Sequence, residues 1–343
     1  MRILVYLEKS SVRGGIEVFA ERHVARLRAE GHEVDVADDI GRVARPARPL
    51  ARGTRAPTDD YDEIVIHKCT DVATLERFPP EKTTYYVHDH EPICPRTYAY
   101  TPLGRNCTRA GGFFPCIFCA PACRAWKAAL KRVFSQARRK RAMARFKKLV
   151  VISEFMKSRL VANGLPTAKV FVEPPTIEIR ESSSSSRSRI SSESSSSAID
   201  LLYVGQLIRG KGVQLLLEAM AHMKNPRTLD VVGTGNMEPK LKALAEQLGL
   251  GDRVRFHGFQ NDPQDWMRRA RCVVVPSFWQ EPYGLVAAEA VALGCKVVAF
   301  AIGGLPEACG GKATLVPPGD VAALAETLDK CDDEKGETQC NPQ

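Results

Sequence analysis

Residues 272–277 read Cys-Val-Val-Val-Pro-Ser, and residues 281–289 read Glu-Pro-Tyr-Gly-Leu-Val-Ala-Ala-Glu. The first stretch contains a short apolar run of the kind that forms a buried strand. The second continues into good helix formers and ends at Gly294. Glu281 is therefore predicted in a loop at the carboxyl end of a strand, with Glu289 about one turn into the following helix.

The start of this helix is a predicted anion site. Amides near Gly284, Leu285 and Val286 have no partner within the helix, and the helix dipole also favours a negative charge. Glu281 and Glu289 flank these amides, and carboxylates accept hydrogen bonds from hydroxyl groups. The pattern predicts a ligand with phosphate in the middle and hydroxyls at both ends, such as a nucleotide sugar. Two solvent-facing glutamates around an ordinary helix start are the alternative.

The same stretch resembles the Glu-x7-Glu motif of the group 1 (family 4) retaining glycosyltransferases. Their GT-B architecture is α/β, with two facing Rossmann-like domains, parallel sheets and an interdomain cleft. The resemblance implies that Glu281 contacts the donor sugar and that Glu289 binds the ribose hydroxyls. It also implies a nucleoside-diphosphate-sugar donor and a glycan or lipid-linked acceptor. The anomeric configuration would be retained, with no metal in the catalytic site.

Alternating strands and helices in both halves of the chain predict parallel βαβ units, which bind ligands beyond the carboxyl ends of their strands. The predicted organisation is a first domain at 1–178, a Ser-rich linker at 179–199, a nucleotide-sugar-binding domain at 200–330 and a polar tail at 331–343. Family members usually continue into further helices, so the tail indicates a truncated C-terminus.

Other strand ends carry candidate donor contacts. Gly14 and Gly15 resemble the family's glycine loop, which packs against the donor diphosphate, although an ordinary loop-to-helix turn is the alternative. Arg209 and Lys211 follow a strand and can neutralise a leaving diphosphate. The family has its phosphate-binding Lys where Lys211 stands. It usually has Arg where this chain has Gln206, and Arg209 is the candidate substitute.

His88 follows a first-domain strand in the sequence His-Asp-His. The family places His or Asp there, in contact with the sugar and close to the reacting carbon. The resemblance therefore gives a catalytic role to His88 beside Glu281, with Asp89 as the second choice. A hydrogen-bonded loop histidine is the alternative.

Charge is unevenly divided along the 343 residues. Residues 1–181 hold 32 Lys and Arg against 21 Asp and Glu, whereas the remainder holds 17 against 19. Eleven basic residues and no acidic one lie between Arg124 and Lys148, interleaved with apolar residues. This segment predicts an amphipathic basic helix, for which a solvated face, peripheral contact with an anionic membrane and nucleic-acid binding are the alternatives.

Eleven cysteines without a secretory signal favour a reducing, cytoplasmic location. Five of them fall in a predicted insertion at about 94–123, and the Cys-x-x-Cys spacing within it is typical of metal ligands. Structural zinc, free thiols and disulfides all remain open for this cluster, whose members are Cys94, Cys107, Cys116, Cys119 and Cys123.

The sequence as a whole predicts a retaining, metal-independent glycosyltransferase of cell-envelope or exopolysaccharide synthesis. It is expected in the cytoplasm or peripherally at the inner membrane face, with no specific nucleic-acid partner. A nucleotide-sugar epimerase of the same fold is one alternative. The other is a nucleic-acid-binding protein that uses the basic helix and has an inactive cleft.

Overall fold

The computed structural model describes residues 1–8, 15–39, 42–44, 57–95, 99, 106–107, 116, 119, 126–180 and 199–332. The chain divides into two compact units, residues 1–175 and 176–343. The predicted glycine-loop residue Gly14, the fifth clustered cysteine Cys123, nearly all of the Ser-rich segment and most of the polar tail lie outside the described residues.

Unit 1 contains a seven-stranded sheet in the order β3-β2-β1-β4-β5-β6-β7, parallel except for the pairing of β2 with β3. The middle four residues of β1 and β4 are all buried, as expected for strands covered on both faces. The strands are β1 (Arg2–Leu7), β2 (Glu33–Asp39), β3 (Arg42–Ala44), β4 (Glu63–Lys68), β5 (Thr83–Val87), β6 (Lys148–Val151) and β7 (Val170–Val172).

The described helices of unit 1 pack their apolar faces against this sheet. Ser153 caps one of them by accepting a hydrogen bond from the Met156 amide at 3.0 Å. The basic segment forms a helix whose buried face includes Val133 and Met143. The helices are α1 (Gly15–Ala29), α2 (Val72–Leu75), α3 (Trp126–Arg145) and α4 (Glu154–Ala162).

Unit 2 contains a six-stranded, fully parallel sheet in the order β10-β9-β8-β11-β12-β13. Its strands are β8 (Ile199–Val204), β9 (Leu229–Val232), β10 (Val254–Phe256), β11 (Ala270–Val275), β12 (Lys296–Phe300) and β13 (Thr314–Val316). Its helices are α5 (Val213–His222), α6 (Glu238–Gln247), α7 (Pro263–Arg269), α8 (Leu285–Ala292), α9 (Leu305–Cys309) and α10 (Val321–Asp329).

Each sheet has one point where the strand order reverses direction, and ligands of open α/β sheets bind at such points. In unit 1 the point lies between β1 and β4, and in unit 2 between β8 and β11. The loops after β8 and β11 are the ones that carry Lys211 and Glu281. The fold and the sequence motifs therefore indicate the same two loops as a ligand-binding site.

The predicted parallel α/β architecture is confirmed, with differences at several boundaries. The basic helix ends at Arg145 rather than Lys148, because Lys148 begins β6 and pairs with Thr84 of β5. Ile199, the last residue of the predicted linker, pairs with Ala270 and begins β8. Among the described helices, none combines the length and apolar character needed to cross a membrane.

Candidate active site

Two loops of unit 2 are tied together by their backbones at the strand-order reversal. The Gly210 carbonyl accepts hydrogen bonds from the amides of Phe278 at 3.1 Å and Trp279 at 3.3 Å. Gly210 belongs to the short 3-10 turn Arg209–Lys211, and the two amides belong to the loop after β11. These bonds hold the turn carrying Lys211 beside the loop that leads to Glu281.

Gly212 makes this close approach possible. Its φ is 77°, in the left-handed region, and a Cβ at this position would lie 1.8 Å from the Pro276 carbonyl oxygen. Any other residue would therefore separate the two loops. Gly212 also begins α5, so the same turn starts the helix and positions Lys211.

Lys211 and Glu281 form an ion pair at the centre of the site. Lys211 Nζ lies 2.6 Å from Glu281 Oε1, and the Ser277 hydroxyl donates to the same oxygen at 2.7 Å. Lys211 Nζ also lies 5.3 Å from the centroid of the Trp279 ring, within the range of a cation–π contact. The cation is thus held by a carboxylate and an aromatic face.

Glu281 is ionised despite its burial. Only 5% of the residue is exposed, and burial by itself raises the pKa of a carboxyl group. The Lys211 charge, together with hydrogen bonds from Lys211 and Ser277, outweighs burial and lowers the pKa of Glu281 below its ordinary value. The site therefore holds a fixed negative charge whose counterion is Lys211.

A second glycine contact fixes the Glu281 backbone. Gly304 donates its amide to the Glu281 carbonyl oxygen at 2.7 Å. A Cβ on Gly303 would lie 2.3 Å from that oxygen, so this loop after β12 fits only without a side chain. The loops after β8, β11 and β12 together determine where Glu281 lies.

The remaining candidate residues of unit 2 lie at the start of α8 and in the 3-10 turn Arg209–Lys211 that precedes α5. Gly284 is the N-cap of α8, and Leu285 and Val286 are its first two residues, so their amides have no acceptor within the helix. Glu289 is half-buried in the second turn. Arg209 is exposed, in contrast to the partly buried Lys211 of the same turn.

In unit 1, Gly15 is the first residue of α1 and His88 directly follows β5. His88 Nε2 lies 3.0 Å from Nδ1 of His67, which is in β4. Burial, reinforced by His23, lowers the pKa of His88 to about 3. His88 is therefore a neutral imidazole at physiological pH.

A small pocket opens at the carboxyl ends of β4 and β5. Burial, followed by the charge of Glu91, raises the pKa of Asp89 in this pocket to about 6. The lining combines neutral imidazoles, carboxyl groups and a buried guanidinium: His67, His88, Asp89, Glu91 and Arg139. Such a mixture of donors and acceptors suits a single hydroxyl group or a water molecule, which is the size the pocket admits.

The cysteine insertion is only partly described. The Cys119 amide donates to the Cys116 carbonyl oxygen at 3.1 Å, and the Cys107 amide donates to the Ala99 carbonyl oxygen at 2.7 Å. Over the part of the chain that the structure covers, no three His, Cys, Asp or Glu side chains are grouped to hold a metal ion. Because Cys123 and the intervening loops lie outside it, the zinc site stays a prediction.

Motif reasoning missed two side chains of the unit 2 site and two of unit 1. Ser277 donates to Glu281 and the Trp279 ring lies near Lys211 Nζ, and the Pro-Ser-x-Trp sequence just before the glutamate was the available signal. His23 and His67 join His88 only through the fold, since they come from different elements. Histidines near the ends of neighbouring predicted strands were the only sequence cue.

The second half of the chain is similar to one known protein family. Residues 185–340 match the family described as "Glycosyl transferases group 1". A D-inositol 3-phosphate glycosyltransferase of Frankia alni is 41% identical over 146 residues, which is 38% of this chain and 36% of that protein. An uncharacterized glycosyltransferase of Methanocaldococcus jannaschii, MJ1607, is 39% identical over 111 residues, 31% of this chain and 28% of that protein. The chain thus spans about a third of the length of these relatives.

Solved structures resemble the chain over nearly its whole length. Anabaena Alr3699/HepE in complex with UDP and glucose gives a TM-score of 0.65 at 20% identity, covering 96% of this chain and 89% of that one. WaaG, a glycosyltransferase involved in lipopolysaccharide biosynthesis, gives 0.63 at 20% identity, covering 97% and 90%. At this identity the likeness establishes the fold, and it confirms the predicted GT-B class.

Proposed function

Because residues 185–340 match the glycosyl transferases group 1 family, we propose that the chain moves a sugar from a nucleoside-diphosphate sugar to an acceptor hydroxyl. The Lys211–Glu281 pair beside the start of α8 is the observation that carries this proposal. It puts a cation, free helix amides and an ionised carboxylate at a point of strand-order reversal, where α/β sheets bind nucleotides. HepE, of the same fold, is described in complex with UDP and with UDP-glucose.

Each of these protein groups would bind a different part of the donor. The α8 amides and Lys211 bind the diphosphate, with exposed Arg209 as a second cation. Glu281 accepts hydrogen bonds from sugar hydroxyls, and Glu289 accepts them from the ribose. When diphosphate binds, Lys211 exchanges part of its interaction with Glu281 for phosphate oxygens. The site then stabilises the negative charge that develops on the leaving group.

Retention and metal independence are parts of the same proposal. The acceptor attacks from the face that the diphosphate leaves, so the anomeric configuration is kept. Lys211 and the α8 amides supply the positive charge that a divalent metal would otherwise provide. The Asp-x-Asp sequence at residues 60–62, a potential metal-ligand pair, precedes β4 at the amino end of that strand, and Asp62 Oδ2 accepts the Arg2 amide at 2.7 Å.

For the acceptor we propose the unit 1 pocket at Asp89, Glu91 and Arg139. Its mixed donors and acceptors would bind one hydroxyl of a glycan or a lipid-linked sugar, because the pocket has room for a group about the size of a water molecule. The name of the Frankia relative adds phosphorylated inositol to the acceptors worth testing. His88 would offer its remaining ring nitrogen to a sugar hydroxyl.

Peripheral membrane contact is proposed for the exposed side of α3, which fits a lipid-linked acceptor and a role in envelope or exopolysaccharide synthesis at the inner membrane face. The side chains on that side are mostly basic, and they include the ring of Phe134, which is 62% exposed. Cations attract anionic lipids, and an exposed aromatic ring inserts at the headgroup boundary. The exposed basic residues are Lys127, Lys131, Arg138, Arg141 and Arg145.

Isothermal titration calorimetry with chelator present tests the proposed function. Nucleoside diphosphates and their sugars are titrated into wild type, Glu289→Ala and the surface control Glu326→Ala. We expect micromolar binding of one nucleotide, weakened at least about tenfold by Glu289→Ala through loss of the ribose contact and unchanged by the control. Absence of nucleotide binding together with tight, salt-sensitive binding of DNA or RNA would overturn the proposal and favour the basic helix as a nucleic-acid site.

A further inference from the structure

Three histidines of unit 1 form a continuous hydrogen-bonded series, which we call the histidine row: His23 of α1, His67 of β4 and His88 after β5. His23 Nδ1 lies 3.0 Å from His67 Nε2, and His67 Nδ1 lies 3.0 Å from His88 Nε2. His67 thus uses both of its ring nitrogens within the row. The row ends at the pocket proposed above for the acceptor.

Aromatic packing keeps the row dry and fixed. The Phe19 ring centroid lies 4.8 Å from that of His88, and the Tyr86 centroid lies 4.8 Å from those of His23 and His67. His67 is 2% exposed and His23 is 6% exposed. Water therefore has little access to compete for the ring nitrogens.

Burial keeps all three rings neutral. It is the largest cause lowering the pKa of His23 to about 4, that of His88 to about 3, and that of His67 well below its ordinary value. At the far end of the row, His23 also experiences opposing charges from Arg26 and Glu173. Each ring therefore carries one N–H and one lone pair near neutral pH.

With one N–H and one lone pair on each ring, only two arrangements of the protons make both hydrogen bonds. In one, His23 donates to His67 and His67 donates to His88, which leaves an N–H on His88 Nδ1. In the other, His88 donates to His67 and His67 donates to His23, which leaves a lone pair on His88 Nδ1. The tautomers of the three rings are therefore fixed together, and Nδ1 of His88 is the nitrogen left for a ligand.

We propose that His67 is a positioning residue: together with His23, it couples the tautomer of His88 to those of the two buried rings, so that Nδ1 of His88 is the nitrogen presented to the sugar. The catalytic part of this inference rests on the proposed function, whereas the tautomer part does not. In the second arrangement, when His88 Nδ1 gains a proton, each ring can pass one N–H proton along the row and a proton leaves at His23 Nε2, which converts the row to the first arrangement.

His67→Phe tests the inference, because it keeps an aromatic ring in the cluster and removes both nitrogens. Tyr86→Phe is the matched control, since it removes a hydroxyl that donates to Glu173 at 3.0 Å but leaves both bonds of the row. Long-range proton–nitrogen NMR spectra of the imidazoles report the tautomers, and steady-state kinetics report kcat and KM. If His67→Phe does not fold, His23→Phe removes the outer bond only and replaces it in both measurements.

We expect the three rings to carry the same tautomer, all Nδ1–H or all Nε2–H, in wild type and in Tyr86→Phe, and the tautomer of His88 to be independent of that of His23 in His67→Phe. The kcat should fall roughly 10- to 100-fold in His67→Phe, the effect of misplacing a reacting group, while the KM for donor changes little. Unchanged His88 tautomer signals in His67→Phe would overturn the inference, and so would a kcat equal to that of Tyr86→Phe. If wild type transfers no sugar, the proposed function fails, but the NMR result still decides whether the row couples the tautomers.

Discussion

The two units place buried titratable groups at the same kind of position, the carboxyl edge of a parallel sheet, yet the outcomes are opposite. In unit 2, Glu281 keeps its charge, because Lys211 and Ser277 contact it. In unit 1, burial lowers the pKa of His88 to about 3, and the neighbouring His67 imidazole supplies no negative charge to offset it. Burial penalises the charged form in both units, so the partner decides the protonation state.

This difference divides the proposed chemistry. Unit 2 offers fixed charges of both signs, which suit a diphosphate and the hydroxyls of a sugar. Unit 1 offers neutral donors and acceptors at His88, which suit hydroxyl groups. The predictions below test whether the charge of Glu281 in unit 2 depends on its pairing with Lys211. They also test whether the three histidines of unit 1 are uncharged.

Lys211→Met should have the largest effect, because it leaves Glu281 buried without its cation. We expect kcat/KM for transfer to fall on the order of 100- to 1,000-fold. Stability should fall by about 2–3 kcal/mol, somewhat less than for a fully buried pair, because the Lys211 side chain is 24% exposed. Donor-dependent kinetics and urea denaturation measure the two effects.

The matched control for this variant is Lys242→Met. Lys242 also pairs with a glutamate, Glu238 at 2.9 Å, but on the exposed surface of α6. The Lys242→Met substitution should leave sugar transfer unchanged and lower the free energy of unfolding by less than about 0.5 kcal/mol. Equal effects of the two substitutions would show that the buried pair in unit 2 has no special role.

The double variant Lys211→Met/Glu281→Gln should be more stable than Lys211→Met alone. The introduced glutamine side chain is neutral yet still able to accept from Ser277, so the uncompensated charge disappears. We expect an interaction energy of about 2 kcal/mol in the double-mutant cycle. Transfer should stay lost, because the cation is absent. Strictly additive stabilities would contradict the pairing account.

The pH dependence of stability should reveal the neutral histidines of unit 1. Their pKa values are lower in the folded state, so the unfolded chain binds more protons below about pH 6.5, and stability falls as pH decreases from there toward 4. Asp89 acts in the opposite direction, since its raised pKa of about 6 makes the folded state bind a proton first. The slope is about 1.4 kcal/mol per pH unit for each net proton.

Chemical denaturation at several pH values between about 7.5 and 5 measures this slope. His67→Phe, which removes one of the three low-pKa groups, should show a shallower decline than wild type. Stability that is constant over this range would mean that the row is charged or accessible to water in the folded protein.

Arg209→Ala should have the smallest effect of the series. Arg209 is exposed and lies in the same turn as the partly buried Lys211. The two substitutions therefore compare the loss of a solvated cation with the loss of a buried one. We expect stability within about 0.5 kcal/mol of wild type. The KM for donor should rise by no more than about fivefold, the range of an exposed ion pair. An effect as large as that of Lys211→Met would reverse the assignment of the main phosphate cation.

Much of the fold could be predicted from sequence, because buried parallel strands give short apolar runs and their helices end at glycines. The runs before His88, Gly205 and Pro276 all marked real strands. β3 and β13 were not predicted, whereas β7 and β10, which also have three residues each, were. The edge strand β13 exposes Leu315, which weakens its apolar signal.

The candidate site was predictable only where its residues are close together in sequence. Glu281, Gly284 and Glu289 share one segment, so their spacing indicated a site. The contact of Lys211 with Glu281 spans 70 positions and depends on the pairing of β8 with β11. The histidine row likewise depends on the pairing of β4 with β5 and on the packing of α1. Long-range pairings of this kind leave no local pattern.

The most direct test of the account is the anomeric configuration of the transferred sugar. Wild type is incubated with the donor identified by calorimetry and a panel of sugar and inositol phosphate acceptors, with chelator present, and the anomeric protons are followed by NMR. The account predicts a product that retains the configuration of the donor and no product with Lys211→Met. An inverted product, or equal turnover by Lys211→Met, would contradict it.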